Sequence, residues 1–219
     1  MLRARKLASA ILTASLVTAG GIGTTVLSAA AAHAAAAHAG TCPTASRITT
    51  GINAIASAAG ALNARLDALT PSSSPGDVQP AAQSTAAGLN TMVIDFSADT
   101  TALGGCPAPL SSADSQTVTA AFRSLTGATQ RMLAILTGKH AIFAQFGVTA
   151  PIASSLRALE AALDSYTYAL ISVAASQQGA ITNGKDSVDS SLGDAITRYG
   201  QICIPSPLYP TLMPVCVGL

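Results

Sequence analysis

Apolar residues recur at intervals of three and four along most of this 219-residue chain, and that spacing leaves little choice of architecture. Val118, Phe122, Leu125, Thr129, Met132 and Leu136 fall on one stripe of a helix. Ile152, Leu156, Leu159, Leu163, Tyr166, Leu170 and Val173 fall on another, and stripes of that length must be covered. The same pattern predicts a helix over residues 44–69, through Ile48, Ile52, Ile55, Ala59, Leu62, Leu66 and Leu69. Another is predicted over 77–103, through Val78, Leu89, Met92, Val93, Phe96 and Leu103, and a shorter one over 187–199, through Val188, Leu192, Ile196 and Tyr199. Turn formers separate them: TPSSSPG at 70–76 and GGCPAP at 104–109 cannot continue a helix. Ser111, Ser112 and Asp114 supply cap chemistry for the third helix, and Pro151 suits the first turn of the fourth. Between those two, residues 139–148 (KHAIFAQFGV) are no polar loop, because Ile142, Phe143, Phe146 and Val148 carry the apolar surface through the turn. No strand pattern competes. The expectation is an all-α, up-and-down bundle of about five helices over residues 40–202, with an irregular Pro-rich tail over 203–219 lying across it.

The first six residues, MLRARK, carry three positive charges and precede an uncharged run to Ala39. A basic start, an apolar stretch and small-x-small sites describe a secretory signal peptide over residues 1–34. Ala32-His-Ala34 is the preferred cut, being nearer Leu27, and Ala37-His-Ala39 places cleavage as late as 39. A membrane anchor is the competing reading, but Gly20, Gly21, Gly23 and many Ala and Thr dilute the hydrophobicity. The mature chain is expected outside the cell or in the cell wall, with no membrane span.

Losing Arg3, Arg5 and Lys6 from eleven Lys and Arg leaves eight, against ten Asp and Glu, for a net charge of −2. No basic patch remains and Trp is absent, so nucleic-acid binding lacks its cations. All four cysteines, Cys42, Cys106, Cys203 and Cys216, belong to the mature part, and an even count in an exported chain argues for disulfides. Cys42 and Cys106 bracket one helical hairpin whose ends meet, which favours Cys42–Cys106 and leaves Cys203–Cys216 to close the tail. A tail stapled to the bundle through Cys42 or Cys106 is the alternative pairing.

Catalytic reagents are scarce. His140 is the only histidine beyond residue 39, sits in GKHA with no serine elbow, and reads as a solvated turn residue. Glu160, the only glutamate, is three residues from Arg157 and reads as half of a surface pair. Asp95 and Asp99, four apart, read as a polar face rather than a cation or water site. No CxxC pair suggests a metal, and Gly104-Gly105 has no phosphate-cradling helix with a lysine behind it. The chain is expected to be no enzyme and to need no cofactor.

Three elements carry a resemblance: SSADS at 111–115 opening a helix, Lys139-x3-Phe143-x3-Gly147-Val148 at the turn, and Leu156-x2-Leu159-x3-Leu163 after it. In these, over residues 44–200, the chain resembles the fungal hydrophobic surface binding protein A family, to which cell-wall galactomannoprotein-type proteins also belong. The resemblance implies adsorption to hydrophobic solids, enclosure of fatty-acid-like lipids, and recruitment of a secreted polyester-degrading esterase. Physically, an Ala- and Thr-rich bundle with intermittent Phe and Met can hold an elongated apolar void. The candidates for lining it are Met92, Phe96, Phe122, Met132, Phe143, Phe146, Leu163 and Tyr166; singly each also reads as core. Two other classes fit the same leader and fold. One is a structural wall mannoprotein, O-mannosylated at clusters such as 70–74. The other is an inhibitor of an extracellular enzyme, against which the cysteine spacing weighs. A monomer is expected.

Overall fold

The computed structural model describes residues 42–106 and 108–218; the expected leader and both cleavage sites lie outside them. Six helices form: α1 (Ala45–Asp67), α2 (Pro75–Leu103), α3 (Ser112–Gly138), α4 (His140–Gln145), α5 (Ala150–Val173) and α6 (Gln178–Tyr199). The all-α bundle is as expected. Local chemistry sets the starts. Thr44 accepts from the Arg47 N–H and Ser111 from the Asp114 N–H, each satisfying a donor the first turn leaves free. At α2 the Asp77 carboxylate accepts from the Ser74 N–H at 3.0 Å and its hydroxyl at 2.7 Å, which holds that carboxyl below its ordinary range. This box places Pro75 in the first turn, two residues before the predicted start, and leaves Pro80 inside the helix.

Short connections make successive long helices antiparallel. One end of the bundle is marked by the Cys42–Cys106 disulfide and by the Leu110 N–H bonded to the Val173 carbonyl at 2.7 Å. At the other, Lys139 Nζ donates to the Leu69 carbonyl at 2.7 Å and Tyr199 Oη to the Leu136 carbonyl at 2.7 Å. Helix α1 packs against α2 and α3, α2 against α5, α5 against α6, and α6 against α3, so the five long helices close a ring. Ile52, Ile55, Leu89, Met92, Phe122, Met132, Leu156, Tyr166 and Leu192 are buried in it. Buried hydroxyls are accommodated by turning back on their own helix: Thr85 donates to the Ala81 carbonyl and Thr119 to that of Ser115, both at 2.7 Å.

Two expectations are corrected here. The last helix starts at Gln178, not near 187, because tertiary packing outweighs the low propensity of Gly179 and Gly184. A Cβ at Gly184 would lie 3.2 Å from Phe122 and 3.3 Å from Thr126, so the glycine is what lets α6 close on α3. The tail is not irregular throughout. Strands β1 (Ile202–Ile204) and β2 (Val215–Val217) pair antiparallel with Cys203 opposite Cys216. Its four prolines, Pro205, Pro207, Pro210 and Pro214, all fall in the connection between the strands, where no ladder donor is needed.

Candidate functional site

Seven of the eight predicted lining residues are core. Met92, Phe96, Phe122, Met132, Phe143, Leu163 and Tyr166 are all buried, and Phe146 is half-buried. Phe96 and Tyr166 meet across α2 and α5 with ring centroids 5.2 Å apart. A partly open cleft beside them, bounded by Arg47, Ile48, Asp99, Leu103 and Tyr166, measures about 20 Å³. That holds about one water and is far short of the ~300 Å³ at which ligand pockets begin. Of the eight predicted lining residues, Tyr166 borders this space.

Polarity concentrates at the Cys42–Cys106 end. Ser115 Oγ, Tyr166 Oη and Thr167 Oγ1 are buried and have no hydrogen-bond partner. Ser115 lies in the first turn of α3, and Tyr166 and Thr167 in the last two turns of α5, so helix direction brings all three to this end. Asp99 of α2 faces the same space. Burial first, then Asp95, push its carboxyl up to about 6, against the opposing pull of Arg47. Burial and Asp99 together raise the Tyr166 phenol far above its ordinary range. Asp95 and Asp99 are thus half-buried rather than on a solvated face. On the outside of α2 and α5, an open groove of about 740 Å³ is lined by Thr100, Gly104, Asp164, Tyr168 and Ala169.

The opposite end holds what sequence reasoning missed. The predicted apolar turn folds as α4 and buries His140, Ile142, Phe143 and Ala144. His140 is no solvated turn residue. It is 2% exposed and edge-on to Tyr199 at 5.0 Å, and burial, with Arg198 behind it, pushes its pKa down. Its Nε2 lies 3.9 Å from Cys203 Sγ. His140, Cys203 and Cys216 hold their ligand atoms within 4.8 Å of one another, but both sulfurs are spent in the Cys203–Cys216 disulfide. Both expected disulfides are formed, and the described residues include no free cysteine. Gln145 clamps the tail: its Nε2 donates to the Ser206 carbonyl at 3.0 Å, and its Oε1 accepts from the Ser206 N–H at 2.9 Å. Nothing local in the sequence pairs residues 61 apart. The Tyr199 stripe was visible; its partners were not.

The Arg157–Glu160 spacing yields no ion pair; on that side Lys185 of α6 instead bridges Asp164 of α5, at 2.7 Å, and Asp189. Among the described residues no helix is long and apolar enough to cross a membrane.

Three solved structures share the fold. One is described as Afmp4p in complex with palmitic acid: 23% identity, TM-score 0.57, covering 71% of this chain and 99% of that one. The others are ligand-binding domains 1 and 2 of the Penicillium marneffei MP1 protein, described as complexed with arachidonic acids. Each is 14% identical at TM-score 0.58, covering 68% of this chain and 94% and 92% of theirs. Comparison with curated protein sequences found no match. The family model described as hydrophobic surface binding protein A matches residues 45–172, from the start of α1 almost to the end of α5, and the chain belongs to that family.

Proposed function

We propose that the protein is a secreted, non-catalytic, monomeric binder of long-chain lipid, taking the aliphatic chain into the ring and the lipid's polar end to the Cys42–Cys106 end. The observation that carries this reading is the trio of buried, unpartnered hydroxyls, Ser115, Tyr166 and Thr167, at one end of the bundle. A buried donor without a partner costs ~1–3 kcal/mol, and a carboxylic acid supplies both donor and acceptor. Support comes also from the fatty acids held by proteins of this fold. Met92 and Met132 are fully buried, so uptake along the axis requires such side chains to yield and helices to part. Each methylene buried returns ~0.8 kcal/mol toward that opening. Catalysis is not part of the reading, since His140 is buried against a disulfide with no nucleophile beside it. Bound lipid or surface would bring a secreted esterase to its substrate by proximity alone.

Native mass spectrometry of the secreted protein tests this directly. The expected spectrum shows a fatty-acid-sized adduct that solvent extraction removes and added palmitic acid restores. A mature chain beginning outside residues 35–40 would sink the export reading. Absence of any adduct, with no uptake of palmitic acid, would sink the lipid reading.

A further inference from the structure

Among the described residues, most of the exposed grease lies in one place. Nine large apolar side chains are exposed among the described residues, and seven of them fall between 202 and 217. The register explains how they are displayed. Ile202 opposes Val217 and Ile204 opposes Val215, with the Cys203–Cys216 pair between them. Strand side chains alternate in direction, so these four share one face and the disulfide takes the other. The disulfide face turns inward to His140. The face of Ile202, Ile204, Val215 and Val217 turns outward, each side chain between 54 and 69% exposed. Leu208, Leu212 and Met213 of the connection add to it.

This orientation is fixed. A two-stranded hairpin is marginal by itself. Here the disulfide closes it, the Gln145 amide grips both backbone groups of Ser206, and Tyr209 packs edge-on to Phe146 at 6.5 Å. The hairpin cannot roll its apolar side under without breaking those ties. Its charge is equally specific: from Tyr199 to Leu219 there is no Asp, Glu, Lys, Arg or His. An anionic bilayer would find no cation on the hairpin itself, and a charged protein surface no counterpart there. A second copy is a poor match too, since a stable interface takes ~20–30 residues a side and the whole hairpin is shorter.

We propose that this hairpin is an adsorption surface for uncharged apolar solids, such as a polyester or wax, separate from the bundle interior. It lies beyond residue 172, outside the part of the chain that matches the family model. The inference goes beyond the lipid reading and does not depend on it.

The test uses the mature protein, polystyrene and polyester beads, and the variant I202T/I204T/V215T/V217T, in which Thr keeps the β-branched shape and removes the apolar face. Wild type should stay on the beads in one molar salt, because screening removes charge contacts and not apolar ones. The variant should adsorb on the order of tenfold or more weakly, with unchanged helical circular dichroism and unchanged uptake of palmitic acid. If the fourfold variant misfolds, I202T/V217T, which removes one cross-strand pair, should show a smaller loss in the same direction. Undiminished adsorption by a folded variant overturns the proposal. So does a wild-type dimer that the variant dissolves, or wild-type binding that favours phosphatidylserine vesicles over beads. A variant that loses adsorption and palmitate uptake together overturns the separation of the two surfaces. Wild type that adsorbs but takes up no palmitate sinks the lipid reading alone and leaves this one standing.

Discussion

Replacing Tyr166 with Phe should make the lipid-free protein more stable and the lipid complex weaker. Tyr166 is fully buried, and its hydroxyl has no hydrogen-bond partner. Its ring already packs on Phe96 at 5.2 Å, a contact Phe reproduces. Removing the oxygen therefore removes a desolvation cost of ~1–3 kcal/mol and forfeits no protein contact. For a domain of this size each kcal/mol moves the melting temperature by ~2–4 °C, so a rise of several degrees is expected. If the hydroxyl meets the polar end of a bound lipid, the variant loses one hydrogen bond there, ~0.5–1.5 kcal/mol net, or ~2–12-fold in affinity. Thermal melts of delipidated wild type and variant, paired with palmitic acid titration by calorimetry, read both effects. A fall of several degrees in the melting temperature would show that the hydroxyl is satisfied in solution, and the premise fails. A stabilised variant with undiminished palmitate affinity would place the lipid's polar end elsewhere.

Asp99 gives a pH signature. Its folded pKa, about 6, is raised, so the native state holds a proton the unfolded chain has lost, and stability should fall as pH rises from about 4 to 6. The group is half-exposed, which reduces the effect to ~1–2 kcal/mol. His140, with its pKa lowered, acts in the opposite sense, losing stability as pH falls through ~6.5, so the comparison is between wild type and Asp99→Asn, whose melting curve should lack the acidic-side gain; identical profiles would contradict the burial of Asp99. Phe143→Ser should cost ~3–5 kcal/mol by chemical denaturation, as expected for an emptied core site, and Phe146→Ser distinctly less because that ring is only half-buried; equal costs would mean that Phe146 is core too. Hydrogen exchange should be faster over residues 178–187 than over 188–199 and should slow when palmitic acid is added; uniform protection along α6 would rule out opening there.

Helices and caps were legible because each is set by neighbours in sequence, and the Cys42–Cys106 disulfide because it follows from the hairpin those helices form. The stripe through Ile48 to Leu66 and the Ser111–Asp114 cap are local signals, the bracketing of one hairpin by Cys42 and Cys106 is read from the helices they set, and all three are found. The misreadings come from contacts between distant residues. His140 looks solvated in its own turn, and only Tyr199 and Cys203, each about sixty residues on, bury it. Proline counting hid the tail strands, because the rule that bars Pro from a ladder says nothing of three-residue stretches outside the Pro-bearing connection. Side-chain type could name Phe96, Phe122 and Met132 as candidates but could not say whether they surround a void or fill it. Packing density decides that, and it belongs to the whole ring.

Where the ring gives way follows from how unevenly its helices are held. Helix α3 buries twelve side chains and α6 only five. Of those five, Val188, Leu192, Ala195 and Tyr199 occupy the half beside the tail, where Tyr199 is also bonded to Leu136. The half of α6 that begins at Gln178 buries Ile181 alone. Beyond that, Gly184 packs closely on Phe122 and Thr126, and the other ties there are the Lys185–Asp164 pair and the Gln130–Ser187 bond; partly exposed pairs of that kind contribute ~1 kcal/mol or less. At that same end α1 and α2 are joined by Cys42–Cys106, and α5 and α6 by the short link 174–177, which leaves the α3–α6 seam without a covalent tie. We therefore expect the seam between α3 and the Gln178 end of α6 to part before the others, with residues 174–177 keeping that end on α5 and Tyr199 and the tail holding the far end. The Gln178 end is the one at which Ser115, Tyr166 and Thr167 lack partners. A lipid entering there would meet the unsatisfied hydroxyls with its polar group and send its chain down the axis toward Met132.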